Sequence, residues 1–388
     1  MIARDAANKI LSVAEKFPVV SITGPRQSGK STLAKSLFPN YRYVTLEDAD
    51  TRAFATTDPR MFLKRYGERV ILDEAQRAPE LFSYLQGVVD ERNIPGQYII
   101  SGSQNFLLME AITQSLAGRV AVMNLFPLSL RELGEAGLRP ASVDTSLFTG
   151  GYPRIYDVGI DPADYYPSYI QTYIERDVRT TSGILKLAEF GRFLSMCADR
   201  TAQMLNKEEL ARDCGITVKT VESWLSILEA SFLILRLQPY YRNFGKRLVK
   251  TPKLYLCDTG LACNLVGLET SDDVTMSEKR GALFETAVVS EVARAFAARG
   301  RKPRLYYWRD SANKEVDLII ERGPRPVDII EVKSSSTYSP KFSKTVTELG
   351  ELMGIAPEHR HVVYAGEESF RTSAANIVSL WDVASIVG

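Results

Sequence analysis

Histidine and cysteine are scarce in this chain of 388 residues. It has two histidines, His359 and His361, and four cysteines, none of them in a Cys-x-x-Cys pair. Structural zinc sites and disulfide frameworks need such residues in closely spaced groups, so the sequence argues against both. Unpaired cysteines are typical of a reducing compartment, and we therefore expect a cytoplasmic protein.

Long apolar segments and a strong charge bias are also absent. No stretch approaches the roughly 18 apolar residues of a membrane-spanning helix, and the N-terminal segment lacks the apolar region of a secretion signal. Basic residues number 48 and acidic residues 47, so nucleic-acid binding can rest only on local basic patches. The chain is long enough for about two to four globular domains, and we expect no membrane partner.

A phosphate-binding loop is the clearest motif. The apolar run PVVSIT predicts a buried strand that leads directly into GPRQSGKS. This segment matches G-x-x-x-x-G-K-[ST], in which glycines let backbone N–H groups face phosphate oxygens at the start of a helix. We expect Lys30 to reach the β- and γ-phosphates of ATP and Ser31 to hold Mg²⁺. The predicted nucleotide-binding residues are Gly24, Pro25, Arg26, Gln27, Ser28, Gly29, Lys30, Ser31 and Thr32.

Two acids at the end of another apolar strand complete the predicted ATPase site. Residues 70–72 deliver Asp73 and Glu74 to the carboxyl end of that strand. We expect Asp73 to position Mg²⁺ and Glu74 to be the catalytic base that acts on the attacking water. A later strand ends in small polar residues at 101–104, which fit either a γ-phosphate sensor or a simple turn.

Strand and helix patterns alternate through residues 1–135, which predicts a parallel sheet with ligands at the carboxyl ends of its strands. An extra strand between the two motifs and the paired Asp-Glu resemble the AAA+ division of P-loop ATPases. No guanine-reading segment is present, which favours ATP. By this resemblance, Arg119 is a candidate catalytic arginine finger that acts on a neighbouring subunit of a homo-oligomer. An ordinary surface arginine is the alternative.

A winged helix is predicted at residues 201–268, after a helical region at 136–200. The segments NKEELARDCG and TVKTVESWLSILEA predict two helices, and two strands joined by a basic connection follow them. Basic side chains here suit contacts with phosphates, so DNA is the expected partner. The alternatives for a winged helix are docking to a protein and service as a lid in an ATPase. The candidate contact residues are Lys219, Arg242, Lys246, Arg247, Lys250 and Lys253.

Residues 277–388 carry a second predicted active site. Glu285 lies on an amphipathic helix pattern, Asp317 on a strand, and Glu331 with Lys333 on one face of the next strand. This order suits a metal-dependent phosphodiesterase. Mg²⁺ would be held by the three acids, and Lys333 would offset charge or orient the water. An exposed acid–lysine ion pair is the alternative explanation.

Across residues 15–340, the motifs resemble the prokaryotic AAA-family ATPases that carry a C-terminal domain of unknown function, number 4143. The segments that carry this resemblance include GPRQSGKST, VILDEAQ, YIISGSQ, GGYPR, KLYLCDTGL, RGALFE and IEVKSS. The tail of that family is similar to PD-(D/E)xK nucleases. The resemblance assigns Asp317, Glu331 and Lys333 to that catalytic motif and Glu285 to the helix acid of its metal site.

The predicted fold class is α/β, with a P-loop parallel-sheet ATPase domain at 1–135. A helical linker, the winged helix and a nuclease-like α/β domain follow. The first predicted function is ATP hydrolysis coupled to action on nucleic acid, including metal-dependent DNA cleavage under nucleotide control. The alternative is a nucleotide-dependent switch or scaffold that binds a protein partner and has a non-cleaving nuclease-like domain.

Overall fold

The computed structural model describes residues 2–103, 112, 114–174, 187–240, 251–323 and 326–388. The chain divides into two compact units. Unit 1 comprises Met1–Leu128, Ala230–Phe232 and Ala297–Arg301, and unit 2 comprises Ser129–Glu229, Leu233–Phe296 and Lys302–Gly388. Within the described ranges, no helix combines the length and the apolar character needed to cross a membrane.

A five-stranded sheet lies at the centre of unit 1. Its strands are β1 (Val19–Thr23), β2 (Arg42–Thr45), β3 (Val70–Asp73), β4 (Tyr98–Gly102) and β5 (Val120–Asn124). Their order is β2-β3-β4-β1-β5, and every neighbouring pair is parallel. The predicted parallel sheet is confirmed, and the carboxyl ends of its strands share one edge.

Helices accompany this sheet. They are α1 (Ala7–Ala14), α2 (Lys30–Leu37), α3 (Ala49–Thr57), α4 (Pro59–Tyr66) and α5 (Leu81–Arg92). Alternate side chains of β3 belong to two different hydrophobic clusters, Val70 and Leu72 to one and Ile71 to the other. Both faces of the strand are therefore covered, which explains its uninterrupted apolar sequence.

Unit 2 contains a nine-stranded mixed sheet in the order β13-β14-β12-β11-β10-β9-β7-β8-β6. Its strands are β6 (Gln203–Met204), β7 (Ile234–Pro239), β8 (Lys253–Leu256), β9 (Leu305–Arg309), β10 (Glu315–Glu321), β11 (Pro326–Lys333), β12 (Arg360–Tyr364), β13 (Phe370–Arg371) and β14 (Asn376–Ser379). Strands β9, β10 and β11 are antiparallel, whereas β11, β12 and β14 are parallel.

The helices of unit 2 include those predicted from the sequence. They are α6 (Leu130–Glu135), α7 (Val143–Thr149), α8 (Pro153–Val158), α9 (Pro162–Tyr169), α10 (Leu187–Asp199), α11 (Lys207–Cys214), α12 (Val218–Ala230), α13 (Thr259–Leu265), α14 (Ser271–Met276), α15 (Arg280–Ala298) and α16 (Lys344–Met353). The chain also has short 3-10 segments and a π-helical turn, of which the first along the chain lies in unit 1 and the others lie in unit 2. They are Ala75–Arg77, Ile170–Ile174, Pro340–Ser343, Pro357–His359 and Leu380–Val387.

The elements of the predicted winged helix are present as α11, α12 and the antiparallel strands β7 and β8. Strand β7 also pairs in parallel with β9, so this hairpin belongs to the same sheet as the C-terminal strands. The basic connection at 241–250, with Arg242, Lys246, Arg247 and Lys250, lies outside the described residues. The winged helix and the four domain boundaries therefore stay predictions.

A buried aspartate explains two of the glycine-containing motifs in unit 2. The carboxylate of Asp258 accepts hydrogen bonds from the Gly151 N–H at 2.8 Å, the Tyr166 hydroxyl at 2.8 Å and the Leu261 N–H at 3.0 Å. Gly150 has a φ of +67°, and a Cβ there would lie 2.4 Å from an Asp258 carboxylate oxygen. The GGYPR and CDTGL segments are thus held together by a structural polar core.

Candidate functional site

The loop between β1 and α2 has the backbone conformation that phosphate binding requires. A Cβ at Gly24 would lie 2.1 Å from the carbonyl oxygen of Leu125, so only glycine fits there. Gln27 and Gly29 have φ values of 61° and 90°. Residues with positive φ let successive N–H groups converge on an anion, and the N-terminus of α2 adds its own N–H groups at Lys30.

Two side chains of this loop fit phosphate oxygens. Lys30 is buried, and its Nζ donates to the carbonyl oxygens of Gly24 at 3.1 Å and Pro25 at 2.7 Å. The Oγ of Ser28 is buried and has no hydrogen-bond partner within the described part of the chain. A buried hydroxyl without a partner is costly unless a ligand satisfies it, so this cradle fits the phosphates of a nucleotide.

The predicted Mg²⁺ ligands of the ATPase site come together. Ser31 Oγ donates to Asp73 Oδ2 at 2.8 Å, and Ser101 Oγ donates to Asp73 Oδ1 at 2.5 Å. A hydroxyl and a carboxylate placed side by side are hard oxygen ligands of the kind that Mg²⁺ prefers. These residues would hold Mg²⁺, and the ion would supply positive charge that offsets the charge of the phosphates.

Tyr43, which no sequence motif singles out, also contacts Asp73, the predicted Mg²⁺ ligand. Its hydroxyl donates to Asp73 Oδ2 at 2.6 Å. Burial, followed by the hydrogen bond to Asp73, raises the pKa of Tyr43 well above its ordinary value, so the hydroxyl keeps its proton. An isolated tyrosine on a predicted strand has no sequence signal that distinguishes it from a packing residue.

The predicted catalytic base has a strained backbone. Glu74 has φ 53° and ψ 40°, in the left-handed region that costs a non-glycine residue about 1–2 kcal/mol. Its Oε2 accepts a hydrogen bond from Gln76 Nε2 at 2.6 Å and a weaker one from Ser103 Oγ at 3.5 Å. Strain of this kind is concentrated at functional sites. Sequence analysis did not assign Gln76, although it lies in the same VILDEAQ motif.

The remaining predicted residues of unit 1 differ in how far they are exposed. Arg26 and Gln27 lie half-buried in the loop, and Thr32 is exposed on the first turn of α2. Arg119 donates to both carboxylate oxygens of Asp90, one of them at 2.9 Å, within its own chain. The arginine finger is an action on a neighbouring subunit and stays a prediction. Gln104, the last of the possible sensor residues, lies outside the described residues.

The predicted second site gathers acids and lysines on neighbouring elements of unit 2. Lys333 Nζ donates to Glu331 Oε1 at 2.6 Å, and Asp317 Oδ2 accepts the N–H of Val332 at 2.7 Å. The side chain of Glu331 is 8% exposed, so this acid–lysine pair is not an ordinary surface ion pair. Glu285 on α15 belongs to the same cluster, because the charge of Asp317 acts on its carboxyl group.

Lys253 occupies an unexpected place in this acid cluster. Its Nζ donates to Glu285 Oε1 at 2.9 Å and also pairs with Glu315. Tyr255, on the same strand, donates to the same Glu285 oxygen at 2.6 Å. The prediction that Lys253 contacts DNA was wrong, because its side chain is only 5% exposed and faces these carboxylates.

The acids of this cluster outnumber its lysines and are poorly solvated, which favours their protonated forms. Burial, followed by the charge of Asp317, raises the pKa of Glu285 to about 7 and that of Glu331 to about 8. Burial also raises the pKa of Asp317. Burial alone would lower the pKa of Lys253, but the charges of Glu285, Asp317 and Glu315 raise it above its ordinary value.

With the side-chain positions of this structure, the acids of this cluster do not form a Mg²⁺ site. Glu331 Oε2 is buried and has no hydrogen-bond partner among the described residues, which is one feature that a cation would satisfy. However, no three His, Cys, Asp or Glu side chains of residues 2–388, apart from the undescribed segments, are grouped closely enough to hold a metal ion. Lys253 supplies positive charge beside Glu285 instead.

The class of the protein follows from the geometry of unit 1. A phosphate loop, followed by two acids at the end of a parallel strand in the same sheet, is typical of a P-loop ATPase, and a family model described as an AAA domain matches residues 16–134. Models described as domains of unknown function, DUF8612 and DUF4143, match residues 140–272 and 280–383. The resemblance to AAA-family ATPases with a DUF4143 domain is confirmed, whereas the nuclease-like character of the tail stays a prediction.

The chain belongs to the family of two mycobacterial relatives, "Uncharacterized protein Rv2008c" of Mycobacterium tuberculosis and "Uncharacterized protein Mb2031c" of Mycobacterium bovis. It is 32% identical to each over 374 residues, which cover 95% of this chain and 81% of the relative.

Solved structures also match the chain. The Walker-type ATPase PABY2304 of Pyrococcus abyssi is 16% identical over 68% of this chain and 96% of its own, with a TM-score of 0.45. The RuvB Holliday junction branch migration motor of Thermotoga maritima is 18% identical over 61% and 90%, with a TM-score of 0.31. At these TM-scores, neither likeness carries an argument about function.

Proposed function

We propose that ATP hydrolysis in unit 1 controls the binding of nucleic acid by unit 2. Unit 2 does not cleave the nucleic acid as long as Lys253 is paired with the acid cluster. The observation that carries the ATPase part is the 2.8 Å contact between Ser31 and Asp73, with Glu74 as the next residue. This contact supports Ser31 and Asp73 as the proposed Mg²⁺ ligands and Glu74 as the proposed base, beside the phosphate loop.

The residues of unit 1 divide the work of hydrolysis. Lys30 would exchange the carbonyl oxygens of its own loop for the β- and γ-phosphate oxygens of ATP, which neutralises charge as the phosphoryl group transfers. Glu74 would accept a proton from the attacking water. Gln76 donates to one oxygen of Glu74, which would leave the other oxygen to accept that proton.

The nucleic-acid part of the proposal depends on the connection between β7 and β8. This segment, RNFGKRLVK, has four basic residues and no acidic residue. Lysine and arginine side chains that neutralise phosphates release counterions, so their contribution to affinity falls steeply with added salt. A connection with this composition suits contact with a phosphate backbone.

The test is DNA binding measured by fluorescence anisotropy over a range of salt concentrations, with and without a non-hydrolysable ATP analogue. In Lys246→Ala/Arg247→Ala, affinity should fall at least about tenfold, and the salt dependence should weaken by about two phosphate contacts. The matched control is Arg301→Ala/Lys302→Ala, an exposed basic pair outside the hairpin. Equal binding by both double variants, or none by the wild type, would contradict the proposal and favour a protein partner.

Metal-dependent cleavage is the second candidate function. One feature favours it once Lys253 has left the acid cluster: Glu331 Oε2, which is buried and has no hydrogen-bond partner among the described residues, would be satisfied by a cation. The test compares cleavage of single-stranded, duplex and branched DNA by wild type and Asp317→Asn, with Mg²⁺ or Mn²⁺ present. Cleavage by wild type that is absent in the variant supports this candidate. If no substrate is cut, the ATPase site is the catalytic site of the protein.

We also propose that the protein works as a homo-oligomer in which Arg119 completes the ATPase site of a neighbour. Lys30→Ala and Arg119→Ala should each lack ATPase activity. Mixed together they should recover part of it, because the intact phosphate loop of one protomer can meet the intact arginine of the other. No recovery in a mixture that has exchanged subunits contradicts the finger role of Arg119.

The cytoplasm is the compartment that we propose. All four cysteines are free thiols. Burial raises the pKa of Cys257 to about 12. At neutral pH this thiol is protonated and unreactive, as expected of a structural cysteine in a reducing compartment.

A further inference from the structure

Tyr43 reaches Asp73 from the neighbouring strand. In the parallel pairing of β2 with β3, Tyr43 is opposite Ile71, and Thr45 is opposite Asp73. Side chains alternate along a strand, so Tyr43 and Asp73 lie on the same face as diagonal neighbours, a distance that an aromatic side chain can span. The result is the 2.6 Å hydrogen bond from the Tyr43 hydroxyl to Asp73 Oδ2.

Three hydroxyl groups hold the Asp73 carboxylate, each from a different element. Ser31 on α2 and Tyr43 on β2 donate to Oδ2, whereas Ser101 on β4 donates to Oδ1. An ionised carboxylate has about four acceptor positions. Three donors therefore define its orientation and leave an acceptor position with which Asp73 would hold Mg²⁺. Tyr43 is the largest and least rotatable of the three donors.

The ring of Tyr43 is held independently of its hydroxyl. Lys35 Nζ lies 3.5 Å from the ring centroid, and Lys35 belongs to the last turn of α2, the helix that carries Ser31. The ring also packs against the hydrophobic cluster that contains Ile71 and Leu33. Phenylalanine at this position would keep both contacts, so removal of the hydroxyl alone is a clean perturbation.

We propose that Tyr43 is a positioning residue of the ATPase: its hydroxyl sets the orientation in which Asp73 and Ser31 receive Mg²⁺ with ATP. This role lies beyond the proposed action on nucleic acid and does not depend on it. Without the Tyr43 hydroxyl, only the hydroxyl groups of Ser31 and Ser101 orient Asp73. Both serine side chains are short and rotate readily. Removal of the hydroxyl should therefore weaken nucleotide binding in the presence of Mg²⁺ and leave nucleotide binding without Mg²⁺ unchanged.

The experiment measures the affinity of Tyr43→Phe for a fluorescent ATP analogue, once with EDTA and once with saturating Mg²⁺. We expect no change in EDTA and about fivefold to tenfold weaker binding with Mg²⁺. A tenfold change corresponds to about 1.4 kcal/mol, the size expected of one hydrogen bond to a charged group. The Mg²⁺ concentration that half-saturates ATPase activity should rise by a similar factor.

Three further variants make the result specific. Tyr41→Phe, two residues earlier in the chain, should leave both affinities unchanged. In an Asp73→Asn background, Tyr43→Phe should have no further effect, because the two residues act through one contact. Lys35→Met, which frees the ring but keeps the hydroxyl, should give a smaller change in the same direction. This variant also tests the role if Tyr43→Phe folds poorly.

Each other outcome overturns the proposal. Equal weakening with EDTA and with Mg²⁺ would mean that Tyr43 only supports the fold of the loop. Tighter binding of Tyr43→Phe with Mg²⁺ would mean that the hydroxyl competes with the metal. Unchanged affinities would mean that the serines suffice. None of these results bears on whether unit 2 binds nucleic acid, so the two proposals fail separately.

Discussion

Replacing Lys253 with methionine removes a positive charge from the acid cluster of unit 2 and keeps most of the side-chain length. In the wild type, the ammonium group lies 2.9 Å from Glu285 Oε1, pairs with Glu315 and is almost fully buried. The variant leaves both carboxylates without this cation in a poorly solvated place. Breaking a buried pair in this way costs about 3–5 kcal/mol.

The size of that cost depends on pH through Glu285. Its pKa is about 7 with the charge of Lys253 lowering it, so in the variant the pKa is higher still. Below that value Glu285 takes up a proton, and the unpaired charge disappears. We expect Lys253→Met to lower the free energy of unfolding by about 3–5 kcal/mol near pH 8.5, and by at least about 1.4 kcal/mol less near pH 6.

Tryptophan fluorescence during urea unfolding is the natural assay. The chain has three tryptophans, Trp224, Trp308 and Trp381, and all of them lie in unit 2. The signal therefore reports the unit that carries the mutation. The matched control is Lys314→Met, which removes a partly exposed ion pair with Glu348 and should cost less than about 1 kcal/mol.

Added Mn²⁺ gives the sharper result. With the lysine charge gone, the remaining carboxylates should attract a divalent cation, so Mn²⁺ should raise the stability of Lys253→Met by mass action. The gain should vanish when Asp317→Asn is added. A stability loss equal to that of Lys314→Met, or the same loss at both pH values, would refute the view that Lys253 is the internal cation of this cluster.

Four other variants each change a single residue. Lys30→Ala should reduce ATP turnover by about a hundredfold or more, and Glu74→Gln should bind ATP but hydrolyse it about 10²- to 10⁴-fold more slowly, both checked by phosphate release. Since the fold raises the pKa of Glu331 from 4.5 to about 8, the native state binds the extra proton, and stability should fall across this range as pH rises. The slope, up to about 1.4 kcal/mol per pH unit for one group, should flatten in Glu331→Gln when measured by urea unfolding. Gly150→Ala should lower the free energy of unfolding by about 2–4 kcal/mol, because its Cβ would meet the Asp258 carboxylate; an unchanged melting temperature would contradict this.

The sequence by itself determined the ATPase half of the protein. The phosphate loop and Lys30 are contiguous, and their function depends on local backbone conformation and on the helix that starts there. The apolar strands that deliver Ser101 and Asp73 are equally local signals, and parallel strands bring their carboxyl ends to one edge. These features could be predicted because each motif is contiguous in sequence and because a parallel sheet brings the ends of its strands together.

Only the tertiary structure decided which side chains meet across larger separations. Tyr43 contacts Asp73 across 30 positions, Lys253 contacts Glu285 across 32, and Asp258 binds the Gly151 N–H across 107. Such contacts depend on strand register and on the face of the sheet where each side chain lies. A shift of one residue would move the side chains of a strand to the opposite face and break the contacts. Lys253, which the sequence predicts to contact DNA, is therefore the cation of a buried acid cluster in the folded protein.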